Sequence, residues 1–249
     1  MKPFLAAIQF LTVIPFPKGF VGGEKELEKC VPFFPIIGLL LGIIVAAFDH
    51  IVSLMLPPLP VSVITAIAMT GISGGLHMDG LADTADGFFS ARPRERVLEI
   101  MRDSRTGVMG VVAVVFLIIL KISLLMSLSP ALRFGIILLM PLAGRCSLVM
   151  MMRILPYVRH QGGLATAFGM ERSWGNVLWA SAFLVVAGWI TVKWLGLAVS
   201  ISSLLTAALF LVYCFRKIGG YTGDTLGAVC EITEIIPALA AVAMSRILT

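Results

Sequence analysis

The chain reads as an all-α polytopic integral membrane protein, with about seven transmembrane helices preceded by an N-terminal interfacial or re-entrant helix. Composition and the texture of the apolar runs predict it. Of 249 residues, 59% are hydrophobic and only 13% charged, and mean hydropathy is +1.01. A soluble domain is roughly 45–50% apolar and about 25% charged, and a disordered chain carries more charge still. The apolar runs are continuous and of the ~20-residue length a membrane-crossing helix needs. They do not alternate in the ~10-residue segments of a membrane barrel. The net charge of +5 suits basic loops at a membrane surface and gives no reason to expect a nucleic-acid partner. Cys30, Cys146, Cys214 and Cys230 lack zinc spacing and read as buried, reduced thiols.

The N-terminal stretch Phe4–Pro17 is too short to span and ends in proline. It has no A-x-A-like site after it, which argues against a removable signal peptide, and it reads as an interfacial or half-inserted helix. Seven apolar runs follow, at about Val31–Phe48, Leu59–Leu76, Gly107–Ser129, Ala131–Met152, Val177–Leu197, Ala198–Phe215 and Thr225–Leu248. Each approaches the length that crosses a core of about 30 Å at about 1.5 Å per residue. Pro57, Pro58 and Pro60 separate the first two, and Pro130 the third from the fourth.

Most of the 19 Lys and Arg lie in four places: Lys2 to Lys29, Arg92 to Arg105, Arg153 to Arg172, and Arg216 with Lys217. With an odd number of spans and the N-terminus inside, all four fall on the cytoplasmic face. This predicts one membrane domain, residues 1–249, multi-pass in the cytoplasmic (inner) membrane. The active site would face the cytoplasm, because the acids concentrate there too. Carboxylates at the edge of a membrane core are costly unless paired or metal-bound.

In GGLHMDGLADTADG, Asp79, Asp83 and Asp86 stand at i, i+4 and i+7 and would share one helix face. Their repulsion would be relieved by a divalent cation, and an oxygen-only donor set favours Mg²⁺ or Mn²⁺. His77 beside them suggests a base or a supporting contact. GGYTGDTLGAVCEITE echoes this segment through the shared pattern G-G-x3-D-x-L-x4-[DE]. Two such elements would bring Asp224 and Glu231 to the same ion cluster, although Asp224 also fits as a helix N-cap. Gly-rich turns feeding helix N-termini expose N–H groups to a phosphate. In MRDSRTGVMG, Arg102 and Arg105 flank Asp103 and Ser104, and this group reads as a phosphate-binding element. Arg92, Arg94 and Arg96 read as membrane anchors. Arg145, inside the fourth run, needs a carboxylate or phosphate partner. Lys121 in the third could snorkel. Acids, arginines and glycine turns on one face suggest metal-assisted phosphoryl chemistry.

The segments GGLHMDGLADTADGFFSARPRERVLEIMRDSRTGVMG and GGYTGDTLGA, with QFLTVIPFP and FFPIIGLLLG, resemble the cobalamin synthase family, the adenosylcobinamide-GDP ribazoletransferases. The resemblance covers essentially the whole chain. It implies Mg²⁺-dependent joining of adenosylcobinamide-GDP to α-ribazole or its 5′-phosphate, with release of GMP. It also implies roles: Asp79, Asp83, Asp86 and Asp224 on the metal, and Glu231 completing the cluster or accepting a proton. Arg102, Arg105 and Arg145 would then neutralise the diphosphate, and Gly223 would allow close backbone approach. The partners would be these small molecules and the lipid bilayer, with homo-oligomerisation left open. Two rivals differ in class. A CDP-alcohol phosphotransferase would carry D-x2-D-G-x2-A-R-x8-G-x3-D-x3-D, which is absent here. A secondary transporter would hold its acids near the midplane instead of at one face.

Overall fold

The structure is a computed structural model that describes residues 2–15, 24–159 and 173–247. Phe16, Pro17, Lys18, Arg172 and Leu248, named above, lie outside the described residues. The described chain is helical, with one isolated bridge between Tyr157 and Tyr221. In order, the helices are α1 (Lys2–Leu11), α2 (Glu24–Glu28), a 3-10 turn (Val31–Phe33), α3 (Phe34–Ser53), α4 (Pro58–Ile72) and α5 (Leu76–Phe88). There follow α6 (Arg94–Ile100), α7 (Val108–Ser127), α8 (Pro130–Ile154), α9 (Trp174–Ile218) and α10 (Gly223–Ile247).

Five of these helices are long and apolar enough to cross a membrane: α3 with its 3-10 lead-in, α7, α8, α9 and α10. Helix α8 is the axis. Most of its length is buried against α3, α9 and α10, whereas α7 and α9 leave Phe116, Ile119, Ile190 and Leu209 exposed. Apolar residues exposed along a helix of this kind face lipid, where exposure costs nothing.

Three of the predicted runs take a different form. The second is shorter than expected. Helix α4 has 15 residues, about 22 Å at the usual rise. The chain then passes through Gly74 and Gly75 at φ +64° and +73°, a backbone only glycine adopts cheaply. Helix α5 leaves at 89° to α4, so the acidic segment is a helix lying across the end of the bundle.

The fifth and sixth runs form one 45-residue element, α9, folded back on itself at Val192 and Lys193. The turn lies a few residues before the expected boundary. Its two arms are antiparallel and in close contact. The Ser200 hydroxyl donates to the Leu184 carbonyl at 3.1 Å, and a Cβ on Gly196 would collide with the Gly188 carbonyl. Lys193 is the single charge between Trp174 and Phe215. A charge there belongs at a turn in water, not within a span.

The short helix α1 does not span. It buries Ala6, Ala7 and Leu11, and the Val13 amide donates to the Ile72 carbonyl at 3.0 Å. This ties the N-terminus to the end of the bundle where α5 lies. The basic residues gather at that end: Arg94 donates to the Ile218 carbonyl, Arg153 to that of Glu28, and Arg159 to that of Met101.

Candidate active site

The site forms where α5 crosses the start of α10. The crossing is close because Gly80 and Gly227 face each other. A Cβ on Gly80 would lie 2.6 Å from the Asp224 carbonyl, and one on Gly227 would lie 2.8 Å from that of His77. Two segments remote in sequence thus come together, as the shared pattern predicts.

Asp79 is exposed and Asp83 half-buried on α5. Asp83 lies within the electrostatic reach of Asp79, Asp86 and Asp224, with Arg159 opposing them. Asp224 is not the N-cap of its helix. Thr222 and Thr225 cap α10 reciprocally: the Thr222 amide donates to the Thr225 hydroxyl oxygen at 2.8 Å, and the Thr225 amide to that of Thr222 at 3.2 Å. Asp224 instead pairs with Arg159 and accepts from the Thr222 hydroxyl at 3.3 Å. Arg159 reaches it because the chain after α8 is pinned to the turn before α10. The Tyr221 amide donates to the Pro156 carbonyl at 2.9 Å, and the Val158 amide to that of Tyr221 at 3.1 Å.

Asp86 departs from the predicted trio. Its carboxylate accepts from the amides of Gly107 at 2.6 Å and Gly110 at 2.8 Å. It therefore caps α7, whose first N–H groups have no partner within their own helix. The i+7 spacing keeps it on the acidic face, but α7 engages it there.

The arginine loop is exposed. Arg105 pairs with Asp103 at 2.6 Å, and this hydrogen bond holds the Asp103 carboxyl down to about 2. Arg102 and Ser104 are exposed, and Arg102 lies within electrostatic range of Tyr157 beside Asp224. Gly223 opens α10 with nothing within 4 Å of where a Cβ would stand. The close backbone approach expected at Gly223 is therefore not made by the chain itself.

Three expectations are corrected one layer below. Arg145 is buried and donates to Glu234 at 2.6 Å, so its partner is a carboxylate of the protein and not a phosphate. Lys121 does not snorkel. It is buried and contacts Glu231 and Glu234 at 2.9 Å each. Glu231 is thereby committed to an ion pair two turns below Asp224, away from an ion cluster at the surface. Two cations and two carboxylates balance in this interior, which makes their burial tolerable.

His77, also buried, borders this network and lines a cavity of about 190 Å³. Asp79, Gly223, Asp224, Tyr157 and Arg159 line the same cavity, with apolar walls from Phe10, Phe34, Leu148 and Met152.

Residue patterns alone did not single out Arg159, Tyr157 or the aromatic pair Phe10 and Phe34, whose rings stack at 5.8 Å. For Glu234 a signal existed: two basic residues in apolar runs require two buried acids. The pair Asp49–Arg133, at 2.7 Å with Thr65 and Ser62 around it, closes the opposite end of the bundle and was also missed.

Among the described residues, no three His, Cys, Asp or Glu side chains already stand in metal-ligating positions. The donor chemistry nevertheless suits a hard cation. Asp79, Asp83 and Asp224 offer only oxygens, and Asp83 is held among like charges that a cation would offset.

The profile described as CobS, cobalamin-5-phosphate synthase, matches residues 3–242. An adenosylcobinamide-GDP ribazoletransferase of Clostridium acetobutylicum is 36% identical over 94% of this chain and 92% of its own. One of Geotalea daltonii is 35% identical over 98% of both chains. One of Desulforamulus reducens is 37% identical over 92% of this chain and 91% of its own. No solved structure matches the chain. A family profile spanning nearly every residue, joined to relatives of this likeness along more than nine-tenths of their length, means that the chain belongs to the CobS, cobalamin-5-phosphate synthase, family.

Proposed function

We propose that this multi-pass membrane transferase joins adenosylcobinamide-GDP to α-ribazole, or to its 5′-phosphate, and releases GMP. The reaction would depend on Mg²⁺ and run at the cytoplasmic face of the inner membrane. The supporting observation is the meeting of Asp79, Asp83 and Asp224 beside Arg159, at a cavity where two separate helices cross.

In this reading a ribose hydroxyl of the acceptor attacks the cobinamide-bearing phosphorus. A new P–O bond forms there, the diphosphate P–O bond breaks, and GMP leaves with its electron pair. Asp79, exposed at the cavity, accepts a hydrogen bond from the incoming hydroxyl and takes up its proton as the new P–O bond forms. Arg159, oriented by Asp224, and Arg102 set positive charge near the departing phosphate. Asp79, Asp83 and Asp224 would hold Mg²⁺, which when bound supplies charge neutralisation at the diphosphate. Asp86 and Glu231, engaged by α7 and Lys121, support the site without joining it.

The experiment is GMP release and corrinoid product formation by the full chain in lipid vesicles, with Mg²⁺ and with a chelator. Asp79→Asn and Asp83→Asn are each expected to lower kcat by about 100-fold or more. Undiminished turnover in chelator, or full activity in both variants, overturns the metal assignment. Absence of corrinoid product from the unaltered chain overturns the function.

A further inference from the structure

We infer that the cavity beside Asp79 is the seat of the acceptor's aromatic base, and that His77 is the residue that recognises it. The inference deepens the proposed function and rests on it. The cavity measures about 190 Å³. A dry apolar cavity of about 150 Å³ is enough to hold a benzene ring. There is thus room inside it for a compact aromatic ring system, with the sugar and phosphate left towards its open side.

The lining is divided in the same way. Phe10, Phe34, Leu148 and Met152 make an apolar wall from α1, α3 and α8, while Asp79 and Asp224 stand at the polar part. A nucleoside whose base fills the apolar part must leave its sugar at the carboxylates. That is where the attacking hydroxyl is needed.

Among the described residues the His77 Nδ1 is buried and has no hydrogen-bond partner. A buried polar atom left without a partner costs free energy. In this cavity a ring nitrogen of the base would meet the imidazole. Gly223, with open space where a side chain would be, leaves the polar part clear for the sugar. A corrinoid is far too large for this volume. The second substrate must therefore approach the carboxylates from outside, and the two substrates would meet at Asp79.

The geometry points to a planar, largely apolar aromatic base as the feature read, and to discrimination against bases bearing several polar edges, such as guanine. The apolar wall offers such edges no partners.

The test uses the full chain in vesicles with His77→Gln and, independently, Leu148→Phe, which fills the cavity without touching a carboxylate. Both are expected to raise KM for α-ribazole by about tenfold or more, with KM for adenosylcobinamide-GDP within about twofold of the unaltered chain. Benzimidazole alone is expected to compete with α-ribazole and not with adenosylcobinamide-GDP, and to lose that competition in Leu148→Phe. Where His77→Gln fails to fold, Leu148→Phe and benzimidazole competition on the unaltered chain still decide. Equal rises in both KM values, or competition by benzimidazole against adenosylcobinamide-GDP instead, overturn the assignment while leaving the transferase reading intact. Failure of the unaltered chain to make any corrinoid product overturns that reading itself.

Discussion

Asp83 and Asp86 sit three residues apart on one helix yet have different work. Asp86 satisfies two amides at the start of α7, whereas Asp83 stands among carboxylates with Arg159 offsetting them. Removal of a helix cap costs about 0.5–2 kcal/mol. Asp86→Ala is therefore expected to lower thermal stability in detergent while retaining most turnover at low temperature. An Asp86→Ala enzyme as inactive as Asp83→Asn, with an unshifted melting temperature, would return Asp86 to the chemistry. The buried ions invite a second measurement. Lys121→Met strands Glu231 and weakens the hold on Glu234, and breaking a buried pair from one side costs about 3–5 kcal/mol. Lys121→Met combined with Glu231→Leu is expected to recover much of that loss, as a double-mutant cycle in melting temperature would reveal. The acids of both glycine-rich segments were legible in sequence because carboxylates beside apolar runs are anomalous. Their partners were not. Arg159 looks like any basic loop residue until a two-residue bridge carries it to Asp224.

Helices α5 and α10 owe their meeting to two residues without side chains. A methyl group on Gly80 would stand 2.6 Å from backbone of α10, and backbone cannot swing aside as a flexible side chain can. Gly80→Ala is expected to push the helices apart and lower kcat by about tenfold or more. The buried network below should hold the fold together, so the melting temperature should fall far less than in Lys121→Met. Unchanged kcat would mean that the carboxylates need not converge. Runs of apolar residues located the spans within a few residues, since the bilayer imposes their length. The break at Gly74 and Gly75 and the fold at Lys193 were harder to place. Hydropathy averages over a short turn, and only the left-handed glycines and a lone lysine mark where the chain reverses.

At the scale of the molecule, the two ends of the bundle differ chemically. One carries α5, the arginine loop and the Asp224–Arg159 pair. The other carries the Asp49–Arg133 pair, the exposed Ser53 and the turn at Lys193. Counted over the chain, basic residues favour the first end, and by the positive-inside tendency that end is expected on the cytoplasmic side. Thiol labelling can read this orientation, because Cys30, Cys146, Cys214 and Cys230 are all buried and should remain silent to a charged maleimide. Single cysteines at Ser104 and at Ser53, both exposed, then report one end each. In right-side-out vesicles Ser53→Cys is expected to label and Ser104→Cys to label only after permeabilisation. In inverted vesicles the order should reverse, and Ser104→Cys should be the position whose labelling responds to adenosylcobinamide-GDP. Labelling of Ser104→Cys in sealed right-side-out vesicles would put the carboxylates outside the cell and overturn a cytoplasmic transfer. Equal labelling of both positions from one side would mean that the chain crosses an even number of times between them, against the path through α4 that joins the two ends.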